Sequence, residues 1–528
     1  MKRLRQSLIA MSAFALVFAL VAAPGGANAQ GEIQVNRPDV VPLPDHLEQI
    51  RASEATELYG SPEIRDLEDR DTSLVSMGDS EISGEGVGNY DPDTDREGNW
   101  CHRSYDQAMF RTDISSDEVY NLACSGAQTP HLIEGSGASQ WDELNQGDNL
   151  AIKARNTNVK MIFVAVGAND QGGVEFGPTM SDCVTNRVLF QGPCWPDYTD
   201  DWAARVSVTQ EGIEESITAI RGTMTGAGYL ESDYELVYMS YPSPMSPDVE
   251  DNPDFPGWYD GGCLGYLEDQ AFARNKAVAI FQDGVRQAAL NKDVRYLDLS
   301  RLFDGHAVCS ENPWARGLYI DWDAGEFEHM VRQSFHPNYR GHGAFADCIS
   351  SFYANPDWQN GTCVDVNYTG DPEVYEGFFE FQDVVDDASG YCMDAEGYNS
   401  RYSTPLVSWD CHGGRNQGFR YDEGTQTIQI ELSQARCVDA EGGEVAAGTN
   451  LILWKCTGTD NQLFTVDGDK LRSTVDEDLC VAFPQGDKGS QLTLESCAAA
   501  GTDVSWLGRD YDDPVGYGYD DWMGSDVY

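Results

Sequence analysis

The chain has 528 residues, with 34 Lys+Arg against 88 Asp+Glu, a formal charge of −54, and 41 % hydrophobic and 11 % aromatic residues. This is enough apolar material for several buried cores, which excludes wholesale disorder. The negative charge argues against DNA, RNA or anionic lipid as partners.

The first 29 residues read as an export signal: Lys2, Arg3 and Arg5 precede the apolar run Leu8 to Ala23, and Ala27-Asn28-Ala29 offers a small-residue cleavage site before Gln30. An uncleaved anchor is the alternative, but Pro24-Gly25-Gly26 ends the run too early for a comfortable span. No later segment approaches the length of a spanning helix, so the mature chain is expected to be secreted, extracellular and without a membrane span. Fourteen cysteines, an even number, fit a disulfide framework in an oxidising compartment. No CxxC or HExxH pair points to a metal, and no cofactor is expected. Only eight lysines occur among abundant acids, a balance that fits either a salt-adapted surface or an ordinary acidic secreted protein.

Residues 30–71 form a lead-in segment with Pro38, Pro42 and Pro44, then a charged stretch from His46 to Asp71 able to hold a short helix. Over residues 72–366 short β-branched runs alternate with longer helical patterns, the texture of βαβ units around a mainly parallel sheet. Candidate strands are Leu74 to Met77, Val159 to Val166, Leu236 to Ser240 and Val294 to Leu299. Val206, Ile213, Ile217 and Ile220 fall at helical spacing, as do Leu264, Leu267, Ala271, Val278, Phe281 and Val285. Gly370-Asp371-Pro372 breaks the pattern and places a linker at 367–377. Residues 378–508 turn to short strands and Gly-rich turns with no convincing helix. There Cys392, Cys437 and Cys480 recur at intervals of 45 and 43, each with a follower, Cys411, Cys456 and Cys497, at 19, 19 and 17. Three copies of one unit are present. Residues 509–528 read as a solvated acidic tail.

The chemistry is sought in the middle region. The buried-strand pattern Leu74 to Met77 runs into Gly78-Asp79-Ser80, and a serine at the end of a parallel strand stands where α/β folds place ligands. Its hydroxyl becomes a nucleophile if a base takes the proton and donors receive the oxyanion. Alone, Gly-Asp-Ser is also an ordinary turn. Asn121 to Ala127 contains Gly126, whose N–H is open to a substrate, and Val164 to Asp170 ends a second strand with the amide of Asn169. Ser334-Phe335-His336-Pro337-Asn338 supplies a candidate base in His336. His102 and His342 are read as packing residues. Asp91, Asp93 and Asp95 alternate like calcium ligands, but Arg96 and His102 stand where such a loop needs glycine and glutamate, so these acids are read as a solvated loop.

These four blocks, in this order and spacing, resemble the SGNH (GDSL-type) hydrolases, and Trp100-Cys101-His102-Arg103-Ser104 and Phe335-His336-Pro337-Asn338 are similar to their secreted actinobacterial esterase and lipase members. The resemblance spans Ser73 to Cys348. It implies a three-layer α/β/α fold, Ser80 as nucleophile, His336 as base, and the Ser80 N–H, Gly126 N–H and Asn169 amide as oxyanion hole. The family's usual acid three residues before the histidine is here Gln333. The expectation is a Ser–His dyad in which the Gln333 carbonyl accepts from His336. Asp321, Asp323 or Glu328 folding back, or loss of activity, are the alternatives. The resemblance further implies pairings Cys101–Cys124, Cys183–Cys194 and Cys263–Cys309, which leaves Cys348–Cys363.

Trp409-Asp410-Cys411 followed by Asn416-Gln417-Gly418-Phe419, and Trp454-Lys455-Cys456 followed by Asn461-Gln462-Leu463-Phe464, resemble the Gln-x-aromatic repeats of ricin B-type lectins. An all-β β-trefoil is implied, with sugar contacts from Asp394, Trp409 and Asn416 in the first repeat and Asp439, Trp454 and Asn461 in the second. The third repeat has Ala482, Glu495 and Asp503 at those places, so its pocket is expected to be dead; Gln417, Phe419, Gln462, Phe464 and Trp506 read as core. A wholly structural trefoil is the bland alternative. The expected protein is thus a secreted monomeric serine ester hydrolase whose partners are an ester substrate, an acylated glycan such as acetylated xylan, and carbohydrate held by the lectin module. A lipase or phospholipase, or a noncatalytic glycan-binding protein, are the alternatives.

Overall fold

The computed structural model describes residues 37–508 apart from 200, 246–264, 309, 311, 322–326, 366–369 and 485–487. The expected export signal, the acidic tail, Cys263, Cys309, Leu264 and Asp323 lie outside the described residues.

The first region is built on a sheet of Thr72–Gly78 (β1), Glu118–Asn121 (β2), Asn158–Ala165 (β3), Glu235–Met239 (β4), Arg295–Asp298 (β5), Asn360–Val364 (β6) and Glu373–Glu376 (β7). Their order is β2-β1-β3-β4-β5-β6-β7, parallel throughout except for β7, which runs antiparallel to β6. The stretch expected to be a linker therefore contains one of the sheet's two edge strands. β1 and β3 are buried almost end to end, as strands covered by helices on both faces must be. This is why their apolar runs stand out in the sequence. β2, β6 and β7 are short and carry Asn121, Asn360, Gly361 and Glu373, so they give no such signal.

The helices are Asp45–Tyr59 (α1), Ser80–Ser83 (α2), Gln146–Asn156 (α3), Phe176–Val188 (α4), Trp202–Gly226 (α5), Leu267–Phe272 (α6), Val278–Asn291 (α7), Phe327–Val331 (α8) and Tyr339–Tyr353 (α9). They complete a three-layer α/β/α arrangement. α5 buries Val206, Ile213, Ile217 and Ile220, the stripe the spacing predicts. The second helical stretch is interrupted by a π-helical turn at Ala273–Ala277, a one-residue widening that a 3.6-residue period does not report. The lead-in segment belongs to this body: Leu43 and Leu47 pack with Ala151 and Ile152 of α3, and buried Arg51 donates from Nη1 to Asn156 Oδ1 at 3.1 Å. Cys348–Cys363 ties α9 to β6.

The second region is all β, twelve strands from Gln382–Asp386 to Val504–Gly508 among the described residues, with antiparallel pairing throughout. The last strand closes on the first with Trp506 opposite Val384. Each repeat holds one disulfide, Cys392–Cys411, Cys437–Cys456 and Cys480–Cys497. Phe419, Phe464, Val438, Val481 and Leu494 meet in a common core, the β-trefoil arrangement. Two arginines join the regions. Arg301 donates to the carbonyls of Glu431 at 2.8 Å and Ile430 at 3.2 Å, and Arg415 reaches Asp283 Oδ1 of α7 at 3.2 Å.

Candidate active site

β1 ends at Gly78 with φ +131°, where a Cβ would lie 1.8 Å from the Ala165 carbonyl oxygen, so only glycine allows β1 and β3 to approach this closely. The Gln146 side chain brackets this peptide: its Oε1 accepts from Gly78 N at 2.7 Å and its Nε2 donates to Gly78 O at 2.8 Å. Asp79 then caps the four-residue α2 by accepting from Glu81 N at 3.0 Å and takes the Tyr241 hydroxyl on Oδ2 at 2.6 Å. Burial pushes the Asp79 carboxyl up to about 7. These contacts fix Ser80 at the first position of α2.

Ser80 Oγ lies 2.7 Å from His336 Nε2, and His336 Nδ1 lies 3.0 Å from the Ser334 carbonyl oxygen. With Nδ1–H donating to that carbonyl, Nε2 carries the lone pair that faces the serine hydroxyl. Burial holds the imidazole below its usual range, opposed by the Glu85 carboxylate and the Ser334 carbonyl, so the ring is neutral and basic at neutral pH. The expected role of the Gln333 carbonyl is corrected here. Phe335 adopts φ +65°, and this left-handed turn presents the carbonyl two residues before the histidine, not three. The Gln333 side chain instead accepts from Arg316 Nη1 at 2.8 Å.

Gly126 and Asn169 line the same cavity as Ser80 and His336. Gly126 adopts φ +80°, and among the described residues neither its N–H nor that of Ser80 is taken by another group. Asn169 Nδ2 donates one hydrogen to Ala127 O at 3.2 Å, leaving the other. The Cys101–Cys124 disulfide and the Ser125 N–H on Cys101 O at 3.0 Å brace this loop. Three donors and a serine–imidazole pair in one cavity can activate a hydroxyl and receive an oxyanion. The cavity, of about 710 Å³, continues beyond them between apolar side chains that include Phe176, Met180, Val184, Met245 and Phe281. Cys183–Cys194 staples the end of α4, which contributes several of these. His342 is buried and accepts from Ala108 N at 3.2 Å; burial pushes it down to about 3, a neutral packing residue. His102 is more than packing, because it pairs with buried Glu85, and Asp95 of the acidic loop faces it.

In the trefoil, Asp394 Oδ2 accepts from Asn416 at 2.9 Å and Gln417 at 2.7 Å, and Asp439 Oδ2 from Asn461 at 2.8 Å and Gln462 at 2.7 Å. The two glutamines are thus buried clamps on the aspartates, a role the core reading did not supply. Burial pushes both aspartates above the usual carboxylate range. Trp409 and Trp454 stand partly exposed beside these pairs, Trp409 with Lys488 Nζ 4.1 Å over its ring and Trp454 with Tyr402 at 4.9 Å. In the third repeat Ala482 offers no acceptor and Asp503 pairs with Lys470.

Residues 380–506 match the ricin-type beta-trefoil lectin domain, and residues 76–344 match the GDSL-like lipase/acylhydrolase family. A lipase of Streptomyces rimosus is 24 % identical over 275 residues, 51 % of this chain and 82 % of that protein; Lipase 1 of Streptomyces coelicolor is 25 % identical over 271 residues, 51 % and 81 %. The crystal structure of the extracellular lipase from Streptomyces rimosus is 20 % identical, covering 53 % of this chain and 99 % of that one with a TM-score of 0.34. Among the described residues no helix is long and apolar enough to cross a membrane. With its family match running through β1, the Ser80 turn and His336 over half of its length, the chain belongs to the GDSL-like lipase/acylhydrolase family and is a carboxylic ester hydrolase with a C-terminal ricin-type lectin domain.

Proposed function

We propose that the protein is an exported serine ester hydrolase in which residues 72–366 perform catalysis and residues 378–508 hold a glycan. The observation that carries this is the Ser80–His336 contact of 2.7 Å, with the ring tethered on its far nitrogen by the Ser334 carbonyl. Ser80 Oγ attacks the ester carbonyl carbon while His336 Nε2 takes its proton, and the oxyanion settles on the Ser80 N–H, Gly126 N–H and Asn169 Nδ2. Collapse breaks the C–O bond, and His336 returns the proton to the departing alkoxide. Water then gives a proton to His336 as its oxygen attacks the acyl-serine, releasing the acid and restoring the hydroxyl.

The apolar walls beyond Ser80 favour an acyl chain well beyond acetyl, because a short acyl group leaves most of that surface wet. Lipase relatives support the same reading. The two Asp–Asn pairs beside exposed tryptophans suit paired sugar hydroxyls and the C–H face of a pyranose, so the ester is met at a glycan-bearing surface. An acetylated polysaccharide is the second reading, favoured by those two pockets.

A panel of p-nitrophenyl esters from acetate to palmitate, with Ser80→Ala as control, tests both. The expected outcome is highest kcat/KM for the longer chains, a loss of about 10⁴-fold or more in kcat in Ser80→Ala, and unchanged glycan binding in that variant. Preference for acetate, with acetate released from native polysaccharide, selects the second reading. Hydrolysis that survives in Ser80→Ala overturns the mechanism.

A further inference from the structure

A serine–histidine dyad oriented by a carbonyl has the right tautomer but no carboxylate to offset the imidazolium that forms as the serine attacks. In the turn whose main chain adjoins His336 lies a carboxylate that the mechanism above does not use. Glu85, in the turn after α2, is fully buried, and His102 is 2 % exposed. The two Glu85 oxygens meet His102 Nδ1 at 2.8 and 2.7 Å, and Tyr90 stacks on the imidazole at 4.6 Å. Asp95 Oδ1 stands 3.2 Å from His102 Nε2, near enough for charge attraction but off the line of an N–H···O bond. The main chain next to Glu85 abuts the ring's own residue: a Cβ at Gly86 would sit 3.2 Å from His336 Cβ and 3.0 Å from the Pro337 oxygen.

We propose that Glu85, held in place and ionised by His102, is a positioning residue that supplies beside His336 the negative charge the dyad lacks. The inference rests on the reading of Ser80 and His336 as the reacting pair. Burial alone would raise the Glu85 carboxyl, but His102 draws it down to about 2, so the charge is present throughout the working range. His102, against its burial, is held above its usual range by the same partner. The other groups facing the cluster are Tyr90, whose oxygen accepts from Gly86 N at 3.0 Å, and Arg332, which donates to Trp100 O at 3.0 Å and opposes the charging of both histidines. Arg316 is engaged by Gln333. An exposed carboxylate would be screened by solvent; one buried with its counter-ion keeps a fixed direction.

The test replaces Glu85 by Gln in the full chain and follows the His336 imidazole by NMR, its resonance assigned by its loss in His336→Gln, alongside the pH profile of kcat/KM on an ester the wild type hydrolyses. Removing a negative charge makes the ring harder to protonate, so its titration and the acid limb both move to lower pH. On the plateau kcat falls about tenfold with KM within about twofold. A folded Glu85→Gln protein with an unmoved titration and kcat within about twofold of wild type overturns the proposal and leaves the pair a brace for the loop. If Glu85→Gln does not fold, Asp95→Asn decides: a smaller shift the same way supports the cluster's field, and none overturns it. Activity that survives Ser80→Ala sinks the dyad itself, while the NMR titration still reports on Glu85.

Discussion

Gly78 shows how little room the site leaves around its nucleophile. Its φ of +131° and the 1.8 Å from a built Cβ to the Ala165 oxygen mean that a methyl group must push β1 and β3 apart. Gly78→Ala is expected to destabilise the catalytic body by about 3 kcal/mol or more, read as a lower urea midpoint at unchanged slope. At this scale the sequence was legible where a residue type has one use: Ser80, Gly126, Asn169 and His336 were placed by their motifs, and one cavity holds all four. It was illegible where backbone conformation decides. Whether residue 333 or 334 offers its carbonyl depends on the φ of Phe335, and no motif reports a left-handed phenylalanine. Glu85, between Gly84 and Gly86, belongs to none of those motifs.

Among elements, the strands found from sequence are those buried along nearly their whole length, β1, β3, β4 and β5, whose apolar runs no loop would carry. β7 escaped because Glu373 and Glu376 are exposed and the segment follows a Pro-containing turn, both marks of a linker. The trefoil was legible for a different reason: its cysteine period repeats a whole supersecondary unit. What the period does not convey is that Asp394 and Asp439 are each clamped on one carboxylate oxygen by two amides. Asp394→Ala combined with Asp439→Ala is therefore expected to abolish retention on immobilised glycans while p-nitrophenyl ester hydrolysis stays within about twofold. Retention that survives both changes assigns the sugar contact elsewhere.

Over the whole molecule the formal charge of −54 repels itself, and the repulsion is screened as the Debye length falls from ~10 Å near 0.1 M salt to ~3 Å at 1 M. The melting midpoint is expected to rise by about 4 °C or more over that range, seen by calorimetry in sodium chloride. A flat or falling midpoint would show that local ion pairs outweigh the long-range field.

Arg301 grips two successive trefoil carbonyls, and Arg415 returns the contact to α7. A lectin on a slack tether lets its enzyme graze anywhere within the tether's sweep. Held this way, Asp394, Asp439 and Ser80 keep one separation, and under the proposed function the molecule would act as a ruler laid on its surface. Cuts would then fall at a set stride from each anchoring sugar, leaving a spaced pattern in the product where a loose leash would leave a cleared patch.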